Sequence, residues 1–406
     1  MLKNPDYITA RRLLLETIST VGTEKLALCE SGGRILAQDL VAEENIPPFD
    51  RSPYDGYAFR AADTEKASRE TPVTLCILEE VPTGAVPTVP VTEGTAVKLL
   101  TGAPIPTGAD TVIPYELTDF TDTAVTVFAP AKPGDNVVRT GEDVRKGKLL
   151  AHRGDVIDPG TAGTLASQGI AEPEVYRMPK VGILSTGSEL VEVAETPGPG
   201  SGKIRNSNRY TFEAVLKALG CETVYLGIAG DSAEEICTLL QKGFAECDAV
   251  ITTGGVSVGD YDLTPEAMEM AGVELLCRGV DIKPGMACVY GVCQGKPVFG
   301  LSGNPASALT NFYVVGVPAL RKMMGYREPL MPKIKVTLSS GFSKKSPKTR
   351  FLRGTLELKD GTVRMALPKE QGNVVLSSAI GCNVMAVIPA GSGPVPAGTE
   401  LEGFLL

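Results

Sequence analysis

Ala249-Val-Ile-Thr-Thr-Gly-Gly-Val-Ser-Val-Gly-Asp-Tyr-Asp262 is the stretch on which the fold turns. Its first five residues are apolar or β-branched, too few for a helix, and stop at Gly254-Gly255, which predicts a buried strand with an abrupt end. Beyond the glycines come N–H and hydroxyl donors, Ser257 among them, and then carboxylates at Asp260 and Asp262. Glycines let the backbone approach a ligand and turn free N–H groups toward an anion. Carboxylates beside a phosphate are held there by a divalent cation, because bare like charges repel. A purely local reading stands equally: either acid caps a helix starting at Thr264-Pro265.

Working outward, the same grammar repeats. Val181-Gly-Ile-Leu runs into a Ser-Thr-Gly turn, and residues 208–219 carry Phe212, Val215, Leu216 and Leu219 at helical spacing before Gly220. Val224-Tyr-Leu-Gly-Ile predicts another strand, 232–246 a helix with Ile236, Leu239, Leu240 and Phe244 inward, and Pro265 to Met270 a further one. Alternation at this spacing predicts a doubly wound, mostly parallel sheet with helices on both faces. Ligands of such sheets sit beyond the carboxyl ends of the strands.

Two more loops fall at that edge. Leu184-Ser-Thr-Gly-Ser-Glu-Leu190 offers Thr186, Gly187, Ser188 and Glu189, although an ordinary strand-end turn has the same composition. Gly300-Leu-Ser-Gly-Asn-Pro-Ala-Ser307 offers Ser302, Gly303, Asn304 and Ser307, with Pro305 placed to open a helix over 305–324. Three such loops on one sheet converge, and with Gly254 and Gly255 they predict a phosphate-bearing ligand. Lys283-Pro284-Gly285 adds a cation before a constrained turn. Asp55-Gly56 and Thr101-Gly-Ala-Pro-Ile-Pro also read as plain turns.

On either side the pattern changes. Residues 4–20 predict a helix capped by Asn4, with Pro5 first and Ile8, Leu14, Leu15 and Ile18 on one face. From about 40 to 178, short alternating runs such as Val73-Thr-Leu-Cys-Ile-Leu, Val97-Lys-Leu-Leu and Ala124-Val-Thr-Val-Phe predict one or two antiparallel sheets. After Glu328-Pro-Leu-Met-Pro332, runs beginning at Ile334, Thr355, Val363 and Val384 predict a small all-β unit. The 45 glycines and 30 prolines among 406 residues exceed average usage of ~7% and ~5%, as many tight turns require.

Composition excludes several functions. A net charge of −9 and no basic face argue against nucleic acid as a partner. One histidine, His152, leaves no imidazole for a His-based zinc site or a Ser-His-Asp triad, and its Ala-His-Arg-Gly setting predicts a surface residue. Nine cysteines without a C-x-x-C predict reduced, mostly buried thiols in the cytoplasm. The N-terminus has no secretory signal pattern, and no apolar run reaches the ~18–20 residues of a membrane helix.

Taken together the motifs resemble the molybdopterin molybdenumtransferase family, which includes bacterial MoeA and the gephyrin E domain. Carrying the resemblance are Pro47-Pro-Phe-Asp50 with Asp55-Gly-Tyr-Ala58, Thr101-Gly-Ala-Pro-Ile-Pro, Arg139-Thr-Gly-Glu-Asp143 and Gly182-Ile-Leu-Ser-Thr-Gly-Ser-Glu-Leu190. Ile204-Arg-Asn-Ser-Asn208, Gly254 through Asp262, Lys283-Pro-Gly and Gly303-Asn-Pro follow in the same order.

The resemblance implies a central doubly wound α/β domain, an N-terminal α+β and β-rich region, and a small C-terminal β-barrel-like domain. The division it suggests is 1–46 with 140–178 for linkage and dimerisation, an inserted 47–139, a pterin-binding 179–327, and 333–406. It implies Mg²⁺-dependent insertion of molybdate into adenylylated molybdopterin with release of AMP, by a homodimer that works with other cofactor-biosynthesis proteins. Asp262, Glu189 and Asp231 match its metal-site acids. Asp55, Thr101 and Asp143 match residues reaching in from the partner subunit. Lys283, Ser307 and Arg353 match its oxyanion site.

This chain departs from the family pattern at Met286-Ala287, where Lys-Pro is common, at Leu301-Ser302, where Leu-Pro is usual, and at Asn373, where serine is usual. Met286 neither donates to an oxyanion nor offsets its charge. Two alternatives follow: a paralogue choosing another oxyanion such as tungstate, or a non-catalytic pterin-nucleotide carrier or scaffold.

Overall fold

A computed structural model describes residues 1–257, 263–359 and 361–406. Asp260 and Asp262 therefore lie outside the described residues.

The central layer is a seven-stranded sheet. Its spatial order is Leu2–Lys3, Glu274–Arg278, Cys288–Cys293, Lys296–Leu301, Ala249–Thr253, Lys180–Thr186, Glu222–Ala229. The last four pair in parallel, as expected. Strand 288–293 runs antiparallel to both of its neighbours, 274–278 and 296–301. Sequence reading named neither 274–278 nor 288–293 as a strand, and the hairpin joining 288–293 to 296–301 escaped it because that hairpin turns on Gln294-Gly295. Both residues have positive φ, +52° and +79°, the geometry of a two-residue hairpin turn, which Asn-Gly signals far more often than Gln-Gly.

Period-2 alternation divides the sheet between two cores. Val181, Ile183, Ala249 and Ile251 face helices Ser207–Ala218, Pro305–Asn311 and Val317–Met323, whereas Leu184 and Val250 face Ala233–Glu246 and Thr264–Met270. Each fully buried Leu, Ile or Phe contributes about 1.5–3 kcal/mol. The helix expected over 305–324 forms with a π-helical turn at Phe312–Gly316, next to Pro318, which has no N–H to give.

Near the N-terminus two expectations are corrected. The first helix spans Tyr7–Thr17 and is capped by Asp6, whose carboxylate accepts from the N–H groups of Ile8 and Thr9; Asn4 instead takes a left-handed φ of 46°. Ile8 is 55% exposed and lies off the core, which takes Ala10, Leu14 and Ile18. Leu2–Lys3 and this helix join the central layer. Thr23–Lys25 and Leu40–Val41 pair instead with Glu174–Tyr176 and Leu149–Ala151, sharing a core of Leu36, Leu40, Ile157, Leu165 and Val175.

Residues 56–127 form one six-stranded sheet, antiparallel except where Val73–Val81 runs parallel to Thr95–Leu99. At the C-terminus, Thr349–Lys359 pairs with both Thr362–Ala366 and Val384–Ile388, closing a barrel over Val336, Leu352, Met365 and Ile388. Ile282–Lys283, which belongs to the α/β segment of the chain, pairs with the barrel strand at Thr349 and Arg350. The nine cysteines are free, six of them buried, His152 is exposed, and no helix among the described residues is long and apolar enough to cross a membrane.

Candidate functional site

The chain leaves strand 180–186, adds 222–229 on one side, then returns to add 249–253 on the other. Loops diverge at such a reversal and leave a crevice. A cleft of about 710 Å³ opens there, lined by Thr186, Gly187, Glu189, Asp231, Gly254, Gly255, Ser257, Ser302, Gly303, Asn304 and Pro305. All eleven are expected site residues, brought together from four strand ends.

Close backbone packing shapes the floor. Gly254, at φ +103°, lies so near Thr186 that a Cβ there would come within 2.5 Å of its carbonyl oxygen and 2.6 Å of Oγ1. The Thr186 hydroxyl donates to the Thr253 carbonyl at 3.2 Å, and the Thr264 hydroxyl donates to the Gly254 carbonyl at 3.0 Å. Thr264 thus ties the helix start to the glycine turn, and Leu263, at the N-cap of the helix Thr264–Met270, makes no side-chain cap. Glu189 and Asp231 are exposed acids on neighbouring strand ends. They offer hard oxygen ligands facing one cleft, the chemistry a magnesium ion takes.

Sequence reading left two asparagines out of the site. Asn206, 1% exposed, donates to the Ser185 hydroxyl at 2.9 Å and caps helix Ser207–Ala218 through the N–H of Arg209. Asn208 donates from Nδ2 to the Gly303 carbonyl at 3.0 Å, holding the third loop against that helix. Both line the cleft. Their signal was the Ile204-Arg-Asn-Ser-Asn208 run itself, an N-cap residue directly after a short strand. Val374, from the C-terminal domain, also lines the cleft and had no local signal.

Other expected residues lie elsewhere. Ser188 is exposed outside the cleft wall, its carbonyl accepting from Lys203. Asp55 and Thr101 meet each other, hydrogen-bonded, in the 47–139 unit and do not line this cleft. Asp143 is exposed, with its N–H bonded to the Ile46 carbonyl.

The segments that carry Lys283, Ser307 and Arg353 meet at the helix Pro305–Asn311. The Lys283-Pro284-Gly285 turn packs on helix Pro305–Asn311: the Gly285 carbonyl accepts from the Asn311 side chain, and a Cβ on Gly285 would sit 3.0 Å from the Ser307 carbonyl. Arg353 is fully buried and donates to the hydroxyls of Thr310 at 3.2 Å and Ser378 at 2.8 Å. Burial pulls its pKa below the ordinary guanidinium value. The Ser307 N–H reaches the Asn373 carbonyl at 3.2 Å, so the departure at Asn373 stands at this same place.

Three family profiles match the chain in order: the MoeA N-terminal region (domain I and II) over residues 6–169, the probable molybdopterin binding domain over 182–322, and the MoeA C-terminal region (domain IV) over 335–406. A molybdopterin molybdenumtransferase of Staphylococcus epidermidis is 36% identical over 379 residues, covering 93% of this chain and 90% of the relative. One from Staphylococcus aureus is 37% identical over 389 residues, covering 95% and 92%. The crystal structure of a molybdopterin biosynthesis MoeA protein from Pyrococcus horikoshii superposes with a TM-score of 0.87 at 35% identity, covering 99% of this chain and all of that one.

Proposed function

The chain belongs to the molybdopterin molybdenumtransferase family, as a transferase of molybdenum cofactor biosynthesis, and from that premise we propose that it inserts molybdate into adenylylated molybdopterin in a magnesium-dependent step that releases AMP. One observation carries this reading: glycine turns and two carboxylates, Glu189 and Asp231, meet around one cleft at the reversal point of the sheet. Such a cleft suits a diphosphate, with backbone at close quarters and acids placed for a cation.

Among the described residues no three metal-binding side chains cluster. Magnesium ordinarily takes only one or two carboxylates together with substrate phosphates, so Glu189 and Asp231 fit it, with Asp262 as the further expected ligand. When bound, the cation would offset the charge of the diphosphate while one P–O bond of its P–O–P bridge breaks, water supplying the incoming oxygen and AMP leaving. Asn208 and Thr264 fix the loops that orient the substrate. Lys283, Ser307 and Arg353 supply the cations and donors for molybdate. Asp55, Thr101 and Asp143 complete the site from a second copy in a homodimer, which works in the cytoplasm.

The test incubates the purified protein with adenylylated molybdopterin, Mg²⁺ and molybdate, and follows AMP. Release that needs all three and stops with a chelator is the expected result. Nucleotide binding without AMP release identifies a carrier, and faster release with tungstate identifies the oxyanion paralogue.

A further inference from the structure

The parallel register of the short N-terminal strand sets Lys3 directly beside Arg278. Partners in register on neighbouring strands project to the same face, and like charges so placed destabilise a sheet. Both side chains line a second cavity of about 430 Å³, together with Asn4, Gly279, Met286 and Ala287. Val256 and Ser257 line this cavity and the main cleft alike, so the second space is an annex of the first.

Neither cation is neutralised by a neighbour among the described residues. Arg278 spends one N–H on the Ser257 carbonyl at 3.0 Å, which aims the guanidinium along the shared wall. Lys348, at the Met286 edge, is matched by Asp281 at 2.7 Å. The strand ends are also built tightly: Asn4 adopts φ 46° and its side chain fills the space where Gly279, at φ +76°, has no Cβ. A lysine and an arginine side by side in one cavity, with no carboxylate partner among the described residues, fit a compact dianion better than any neutral ligand, because a planar guanidinium and a mobile ammonium together satisfy several oxygens.

We propose that Lys3 and Arg278 form a tetrahedral-oxyanion subsite that extends the main cleft, separate from Lys283, Ser307 and Arg353. It rests on the proposed function for the identity of the cleft's ligand. Two sources carry the same chemistry, free molybdate and a phosphate group of the pterin nucleotide.

The experiment follows the melting temperature of the full chain against molybdate, and separately against AMP with Mg²⁺, for wild type, Lys3→Gln and Arg278→Gln. Lys3→Gln should melt at or above wild type without anion, since a like-charge pair is relieved, yet need at least tenfold more of one anion for the same rise. A shift confined to molybdate assigns the annex to the free oxyanion, and one confined to AMP assigns it to the substrate phosphate. Unchanged dependence on both anions in Lys3→Gln overturns the proposal and leaves the proposed function standing. A wild type that responds to neither anion sinks both. Arg278→Gln separates a structural role: lower stability with unaltered anion dependence also counts against the subsite.

Discussion

One oxygen of Asp55 accepts two hydrogen bonds from Thr101, from its backbone N–H at 2.7 Å and from its hydroxyl at 2.8 Å. Those donors, the backbone N–H foremost, hold the Asp55 carboxyl below its usual pKa. Asp50 is lowered likewise, chiefly by the Thr140 N–H and then by the Arg139 and Thr140 side chains. A depressed folded pKa contributes stability that is full above the unfolded value of ~3.9 and is lost as pH falls through the folded one. Melting curves from pH 6 down to pH 2.5 should therefore fall steeply only below about pH 4. Asp50→Ala and Asp55→Ala should each flatten that acid limb while changing little between pH 6 and 7 relative to each other. An acid limb of unchanged slope in both variants rules these contacts out as its source.

Gly254→Ala should cost about 2 kcal/mol or more, because φ +103° strains an L-residue and the new methyl meets the Thr186 carbonyl. Urea unfolding measures the loss. AMP binding should weaken with it, since Thr186 and Gly254 form one floor of the cleft; a variant as stable as wild type would show that the floor relaxes freely.

Arg353 is 0% exposed, and its hydrogen-bond partners are hydroxyls and carbonyls, with no carboxylate among the described residues. A buried charge without a counter-ion costs stability that an apolar residue of similar length does not. Arg353→Met should keep or raise the melting temperature while lowering molybdate-dependent AMP release at least tenfold. A marked drop in melting temperature would mean that the hydrogen bonds outweigh desolvation.

Glu189→Gln and Asp231→Asn change exposed side chains and should leave unfolding within about 0.5 kcal/mol of wild type. Each should raise the Mg²⁺ concentration needed for half-maximal AMP release at least about tenfold, since losing even a hydrogen-bond partner of a metal ligand costs about 10–100-fold. An unaltered magnesium requirement in both variants removes them as ligands.

The strands at 181, 224 and 249, the helices between them and the glycine loops at their ends were all legible without coordinates, and so was the joining of Thr186, Gly254 and Ser302 at one edge. Hydrophobic period, turn chemistry and φ preference belong to a few adjacent residues, and they survive in any context that lets the apolar face be buried. The cap of the first helix was misread because Asn4 and Asp6 both suit the position; Asp6 holds it, and Asn4 is drawn away by pairing of Leu2–Lys3 with the far edge of the sheet. The Gln294-Gly295 hairpin escaped because its first residue carries no turn signal of its own.

Three placements have no local signature at all. Val374 reaches the cleft from the C-terminal domain, Lys283 sits on a strand shared with the barrel, and Lys3 stands beside Arg278. Each follows from strand register or from the docking of one layer on another. Such contacts join residues tens to hundreds of positions apart, and their free energy comes from complementary surfaces that exist only once both partners have folded.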